Sequence, residues 1–255
     1  MIVWRHPSVL TLSSDWVSDN CVLTAVGVLD TTTYLPLRDA IIKAALDEPL
    51  AVVVDVTALS VPAPSAWAVF TSARWHVSEW PGVPVALVCR HIDGRDTIRR
   101  NGITRYVPVF ASVESAVENF PWAGKHRYRQ RARAELPAVP ASLPRCRELV
   151  REWLTGWSKT DFVPVASVIA TVLVENALAH TGGGLSVRLE ADGDTVAVAV
   201  RDTGTALASR RETADRTEGI PGLDIVAAVC QAWGNAPDPT GKTVWAVIGP
   251  KNRLP

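Results

Sequence analysis

Val172-Leu173-Val174-Glu175-Asn176-Ala177-Leu178-Ala179-His180-Thr181 is the stretch whose reading decides the fold of this chain. At helical period, Ile169, Leu173 and Asn176 with Ala177 stack on successive turns, and His180 follows. An asparagine within an apolar helix face is expensive, because its amide needs partners once it leaves water. Either protein groups satisfy it, or its carbonyl oxygen is reserved for a ligand or a metal. The stretches that follow favour a ligand. Val196 to Arg201 reads as a strand and runs directly into Asp202-Thr203-Gly204. Glu218-Gly219-Ile220-Pro221-Gly222-Leu223 then opens an apolar helix through glycines, and Gly241-Lys242-Thr243 begins a final strand to Val247.

Asn-Ala-x-x-His, Asp-x-Gly, Gly-x-x-Gly-Leu and Gly-x-Thr, in that order within about seventy residues, resemble the GHKL ATP-binding fold. That superfamily includes histidine kinases, gyrase-type ATPases and the serine kinases that act as anti-sigma factors. The last group is the most similar, and the resemblance covers residues 127 to 249. No dimerising helix with an acceptor histidine precedes the motifs, which argues against a histidine kinase.

The 255 residues have room for two domains, here expected at 1–122 and 123–255. The chain carries 26 basic and 26 acidic residues, so net charge supports neither nonspecific nucleic-acid binding nor attraction to an anionic membrane. No uninterrupted apolar run approaches a membrane span, and Met1 to Ser14 lacks the layout of a signal peptide. Cys21, Cys89, Cys146 and Cys230 are scattered without metal-ligand spacing and read as reduced thiols of a cytoplasmic protein.

The N-terminal half alternates strands and helices. Cys21 to Asp30, Ala51 to Val56 and Val83 to Cys89 read as strands; Thr31 to Leu46, Ser65 to Trp80 and Val113 to Phe120 read as helices. Thr32 or Thr33 is expected to cap the first helix and Ser112 the last, with a short helix from Ile98 to Gly102 and a strand on to Phe110. Gly27-Val28-Leu29-Asp30 and Val52 to Leu59 resemble the STAS fold of anti-anti-sigma factors over about residues 20 to 120. The fold class is therefore expected to be α/β and α+β: a STAS-like domain followed by a GHKL ATP-binding α/β sandwich.

In the STAS family a serine after the valine strand receives phosphate. Ser65 falls on that position in Leu59-Ser60-Val61-Pro62-Ala63-Pro64-Ser65, but Ala63 and Pro64 replace the usual aspartate and serine. Ser65 is thus a candidate phosphoacceptor or simply a helix N-cap. Between the halves, Pro121 to Gly124 marks a boundary. Lys125, Arg127, Arg129, Arg131 and Arg133 then alternate as one basic face of an exposed first strand, ahead of a helix from Leu143 to Trp157.

The GHKL resemblance implies ATP and Mg2+ as cofactors and assigns the roles. Asp202 accepts the adenine amino group, Gly204 lets the base approach, and Thr243 hydrogen-bonds near the adenine. Asn176 offers its carbonyl oxygen to Mg2+. Gly219, Gly222 and Leu223 turn backbone amides toward phosphate at a helix start. His180 faces phosphate or caps the helix end. Arg210, Arg211 and Arg216 fall in a polar lid read as solvated.

Catalysis is less well provided for. The related kinases carry a glutamate one helical turn before the motif asparagine, where this chain has Val172. Glu175 is the only neighbouring candidate base, about 100° around the helix from Asn176. The expected function is an ATP-binding regulator of the partner-switching type with weak or no kinase activity. Its partner would be a sigma factor or a STAS-domain or anti-sigma regulatory protein. The alternative is an active serine kinase acting on a STAS-domain antagonist or on its own Ser65. Neither nucleic acid nor membrane is expected as a partner, and a homodimer is compatible with these features.

Overall fold

The computed structural model describes residues 9–119, 129–204, 222–238 and 241–252. The chain divides into two compact units, Met1–Arg127 and Tyr128–Pro255. The boundary expected from Pro121 to Gly124 lies outside the described residues.

The first unit is a mixed α/β fold. Its elements are β1 (Leu10–Val17), β2 (Asn20–Val28), α1 (Tyr34–Leu46), β3 (Val52–Asp55), β4 (Leu59–Ser60), α2 (Ala68–Ser78), β5 (Val85–Val88), α3 (Ile92–Arg100), β6 (Val109–Phe110) and α4 (Val113–Glu118). The strand order is β1-β2-β3-β5-β6, with β4 also paired to β2. Only the β1–β2 pair is antiparallel. The unbroken valines of β3 follow from its place in the sheet, buried on both faces as a central parallel strand must be. Strand β1 was not among the expected elements. It is mostly exposed and joins β2 through Ser18 and Asp19, both at positive φ as a two-residue hairpin turn requires. Asn20 secures that turn by donating to the carbonyls of Val17 (3.2 Å) and Ser18 (2.8 Å).

Three local expectations need correction. Thr33 occupies the N-cap of α1, but its hydroxyl donates to Val28 O at 2.8 Å rather than accepting from the helix. Asp30 orders the turn ahead of the helix, accepting from the amides of Thr32 (2.8 Å) and Thr33 (3.3 Å). Ser65 is no N-cap: it lies inside a 3-10 turn, Pro64–Trp67, that precedes α2, and Ala63 caps that turn. Helix α3 starts six residues earlier than its apolar pattern indicates, because Ile98 is its sole buried residue and its periodicity is silent. Ser112 does cap α4, accepting from Ser115 N at 3.2 Å.

The second unit is a two-layer α/β arrangement. It contains β7 (Gln130–Leu136), α5 (Ser142–Gly156), α6 (Val163–His180), β8 (Leu185–Asp192), β9 (Thr195–Asp202), α7 (Gly222–Val229), β10 (Ala232–Asp238) and β11 (Gly241–Ile248). The sheet is antiparallel throughout, in the order β10-β11-β9-β8-β7. Alternate residues of the strands (Val187 and Leu189, Val196 to Val200, Val244 to Ile248) meet α5, α6 and α7 in one core. Helix α6 is apolar nearly all round because it is the central helix of that layer, with Ile169, Leu173 and Ala177 fully covered. With the turn before it, α6 is long and apolar enough to span a membrane, and half of that window is buried inside the protein.

Candidate functional site

The carboxyl end of α6, the end of β9, the start of β11 and the start of α7 come together within the second unit. Antiparallel pairing sets Asp202 directly opposite Lys242 and Thr243 opposite Arg201. Residues opposite one another share a face, so Asp202 and Lys242 sit on the helix-covered face with Val200 and Val244. Lys242 Nζ lies 3.2 Å from Asp202 Oδ2, and both side chains are only 1% exposed. This is ion-pair range, without a well-directed hydrogen bond on the ammonium. The other carboxylate oxygen, Oδ1, accepts from Gly204 N at 2.7 Å.

Gly204 is a glycine for lack of room. A Cβ there would stand 2.7 Å from the carbonyl oxygen of His180 and 3.3 Å from Lys242 Nζ. Beyond it, the Thr181 and Thr203 hydroxyls hydrogen-bond to each other, and Gly183 N donates to Thr181 Oγ1 at 3.2 Å. These contacts lock the loop after α6 to the end of β9. Gly222 marks a second close approach: a Cβ there would lie 2.9 Å from Val172 Cγ1. Leu223, the next residue, is buried in the core rather than presented as a side-chain ligand.

Asn176 is half-buried, and its amide nitrogen is shut off from solvent with no hydrogen-bond partner among the described residues. Of the two fates open to a helix asparagine, satisfaction by protein is therefore not the one seen for this nitrogen. His180 and Glu175 are exposed on the same helix. The helix end itself is closed by the backbone, Thr181 N donating to Ala177 O at 2.9 Å. Val172 is buried, with Gly222 against it. Thr243 is also buried, but on the sheet face away from Asp202. Gly219, Arg210, Arg211 and Arg216 lie outside the described residues.

Sequence reasoning missed Lys242, although a signal was present. Lys242, Val244, Ala246 and Ile248 share one face of β11, and a lysine in line with three core residues is anomalous. The basic strand also reads differently in place. Glu190, its side chain 4% exposed, stands 3.4 Å from Arg129, 3.9 Å from Arg131 and 3.2 Å from Arg188. Arg129 reaches Asp192 at 3.1 Å as well. Among the described residues, that face pairs its arginines with acids, while Lys125 and Arg127 lie outside them.

Ser65 is exposed at the start of its turn, beyond β4. The cysteines are free thiols. Burial raises the Cys21 and Cys230 thiols above their ordinary value and pushes Cys146 up to about 11, so it stays neutral and inert near pH 7.

Comparison with known proteins identifies the first unit. The family model for the STAS domain matches residues 14–116, under half of the chain, and that segment is a STAS domain. No curated protein matches the sequence. Among solved structures, an anti-sigma factor antagonist from Mycobacterium paratuberculosis is similar at 19% identity and a TM-score of 0.38, over 44% of this chain and 95% of its own. The anti-sigma factor antagonist SpoIIAA in its unphosphorylated form is similar at 15% identity and a TM-score of 0.35, over 43% of this chain and 96% of its own.

Proposed function

We propose that the STAS domain at residues 14–116 is joined to an ATP-binding domain of the GHKL kind, forming a partner-switching regulator that transfers phosphate weakly or not at all. The observation that carries this reading is the convergence in the second unit. Asn176, Asp202 with Gly204, Gly222, and Gly241 with Lys242 come from four separate stretches and gather where α6, β9, α7 and β11 meet. A STAS domain in the same chain directs the reading toward sigma-factor control, with a sigma factor or a STAS-domain or anti-sigma protein as partner.

The residues present suit the phosphate end of a nucleotide. The Asn176 amide nitrogen, a donor with no partner among the described residues, would suit a phosphate oxygen, and Gly222 opens a helix against Val172, one turn before it. Among the described residues no cluster of three His, Cys, Asp or Glu side chains is placed to hold a metal. The Asn176 carbonyl oxygen is the group that would hold a Mg2+ ion, as the GHKL resemblance implies. Asp202 would orient the base through a charge-assisted hydrogen bond, and Gly204 would clear its approach. Bound ATP would supply a phosphoryl group, but this chain provides little to activate an acceptor. Val172 holds the position where the related kinases carry glutamate and cannot take a proton, while Glu175 is exposed. The acceptor loop of the STAS domain lacks its acid as well, with Ala63 two residues before Ser65.

Titration of the full chain with ATP and Mg2+ tests the binding half of this proposal. Asp202→Asn should weaken ATP binding by about 1–3 kcal/mol, the range for a hydrogen bond to a charged group. Superimposable curves for the two proteins would remove Asp202 from the site.

A further inference from the structure

The nucleotide reading gives the Lys242 ammonium no chemical role. A lysine 1% exposed is costly to bury, since the ammonium has three donors and gives up water for each of them. Its single charged neighbour among the described residues is Asp202, at 3.2 Å. The same carboxylate accepts the Gly204 amide on its other oxygen, so protein groups approach both oxygens and the whole side chain is sealed. Lys242 Nζ also stands 3.3 Å from the point where a Gly204 Cβ would be, so the ammonium fills the space beside Gly204. The ammonium thus lies in ion-pair range of Asp202, with the polarity of an amino group on a base.

We infer that Lys242 is an internal occupant of the base subsite, held by Asp202 in place of a nucleotide's amino group and displaced when a nucleotide binds. The inference rests on the nucleotide reading given above and sets its affinity. Binding of the base must separate a buried ion pair, and a neutral residue at position 242 would not compete. The intrinsic affinity of the site is then masked by the fraction of molecules in which Asp202 is free. Wild-type chain would fill with ATP only at high nucleotide concentration.

The test is calorimetric titration of ATP with Mg2+ into the full chain and its variants, with thermal unfolding followed in parallel. Lys242→Thr removes the competitor and should tighten ATP binding at least tenfold. Lys242→Gln keeps a neutral donor beside Asp202, guarding against a fold left with a lone buried carboxylate, and should tighten binding by a smaller factor. Lys242→Arg retains the cation and should leave affinity near that of wild type. A wild type that binds ATP while Lys242→Thr and Lys242→Gln bind equally or more weakly overturns the inference and leaves the nucleotide reading standing, with Lys242 then a donor to the ligand. If neither the wild type nor these neutral variants bind ATP, the nucleotide reading fails and takes the inference with it.

Discussion

Among its described residues the second unit buries charge in two places, and the two are built differently. On the sheet face away from the helices, Glu190 is surrounded by Arg129, Arg131 and Arg188, and Arg129 is shared with Asp192. On the helix-covered face, Lys242 has Asp202 alone among the described residues. A charge with several opposite neighbours is held by the fold and contributes to its stability. A fully buried ammonium with a single charged neighbour among the described residues has no such surplus of partners. The first cluster is read as architecture and the second as a site.

The largest effect that separates them is on stability. Glu190→Ala should lower the unfolding free energy by about 3 kcal/mol or more in urea titrations, because it removes a buried carboxylate from between Arg129 and Arg188, whose side chains are only 10% and 14% exposed. The double replacement Asp202→Asn with Lys242→Thr should change stability by about 1 kcal/mol or less. Neutralising both members of a buried pair removes its desolvation cost together with its attraction. Equal losses in the two variants would erase the distinction drawn between the clusters.

A smaller contrast lies in the STAS domain, between its two candidate helix-capping serines. Ser112 accepts from Ser115 N at 3.2 Å, so Ser112→Ala should cost about 1 kcal/mol in chemical denaturation. Ser65 caps nothing and is exposed, so Ser65→Ala should stay within about 0.5 kcal/mol of wild type. A Ser65→Ala loss as large as that of Ser112→Ala would restore the capping role to Ser65.

What could be read from the sequence follows the same physics. Helix α6 and strand β3 are legible because burial on all sides demands unbroken apolar residues. Strand β8 carries period-two alternation in Leu185, Val187, Leu189 and Ala191, a signal the sequence reading left unused. Strands β1 and β10 are not legible in that way. Both are sheet edges: β1 is serine-bearing and exposed, and β10 holds Gly234 and Pro237, residues that an edge strand tolerates and a central one does not. Within the site, Asn176, Asp202, Gly204 and Gly222 stand out because each is the wrong residue for an ordinary core position. Thr243 follows a motif, but strand alternation turns it to the opposite face, and Lys242 takes the place beside Asp202. Position in a motif is blind to that alternation unless the face of each strand is worked out.

The central claim is that the second unit takes up ATP without passing its phosphate on efficiently. Incubating the full chain with γ-labelled ATP and Mg2+, at nucleotide concentrations high enough to displace Lys242, tests both halves in one measurement. Nucleotide retained on the protein is compared with label bound covalently to it or to an added STAS protein. The account predicts retained nucleotide, with covalent label at least a hundredfold slower than an intact kinase site would give, in line with the loss of a general base. Rapid labelling of Ser65 or of the added STAS protein, or no retained nucleotide at any concentration, would contradict it.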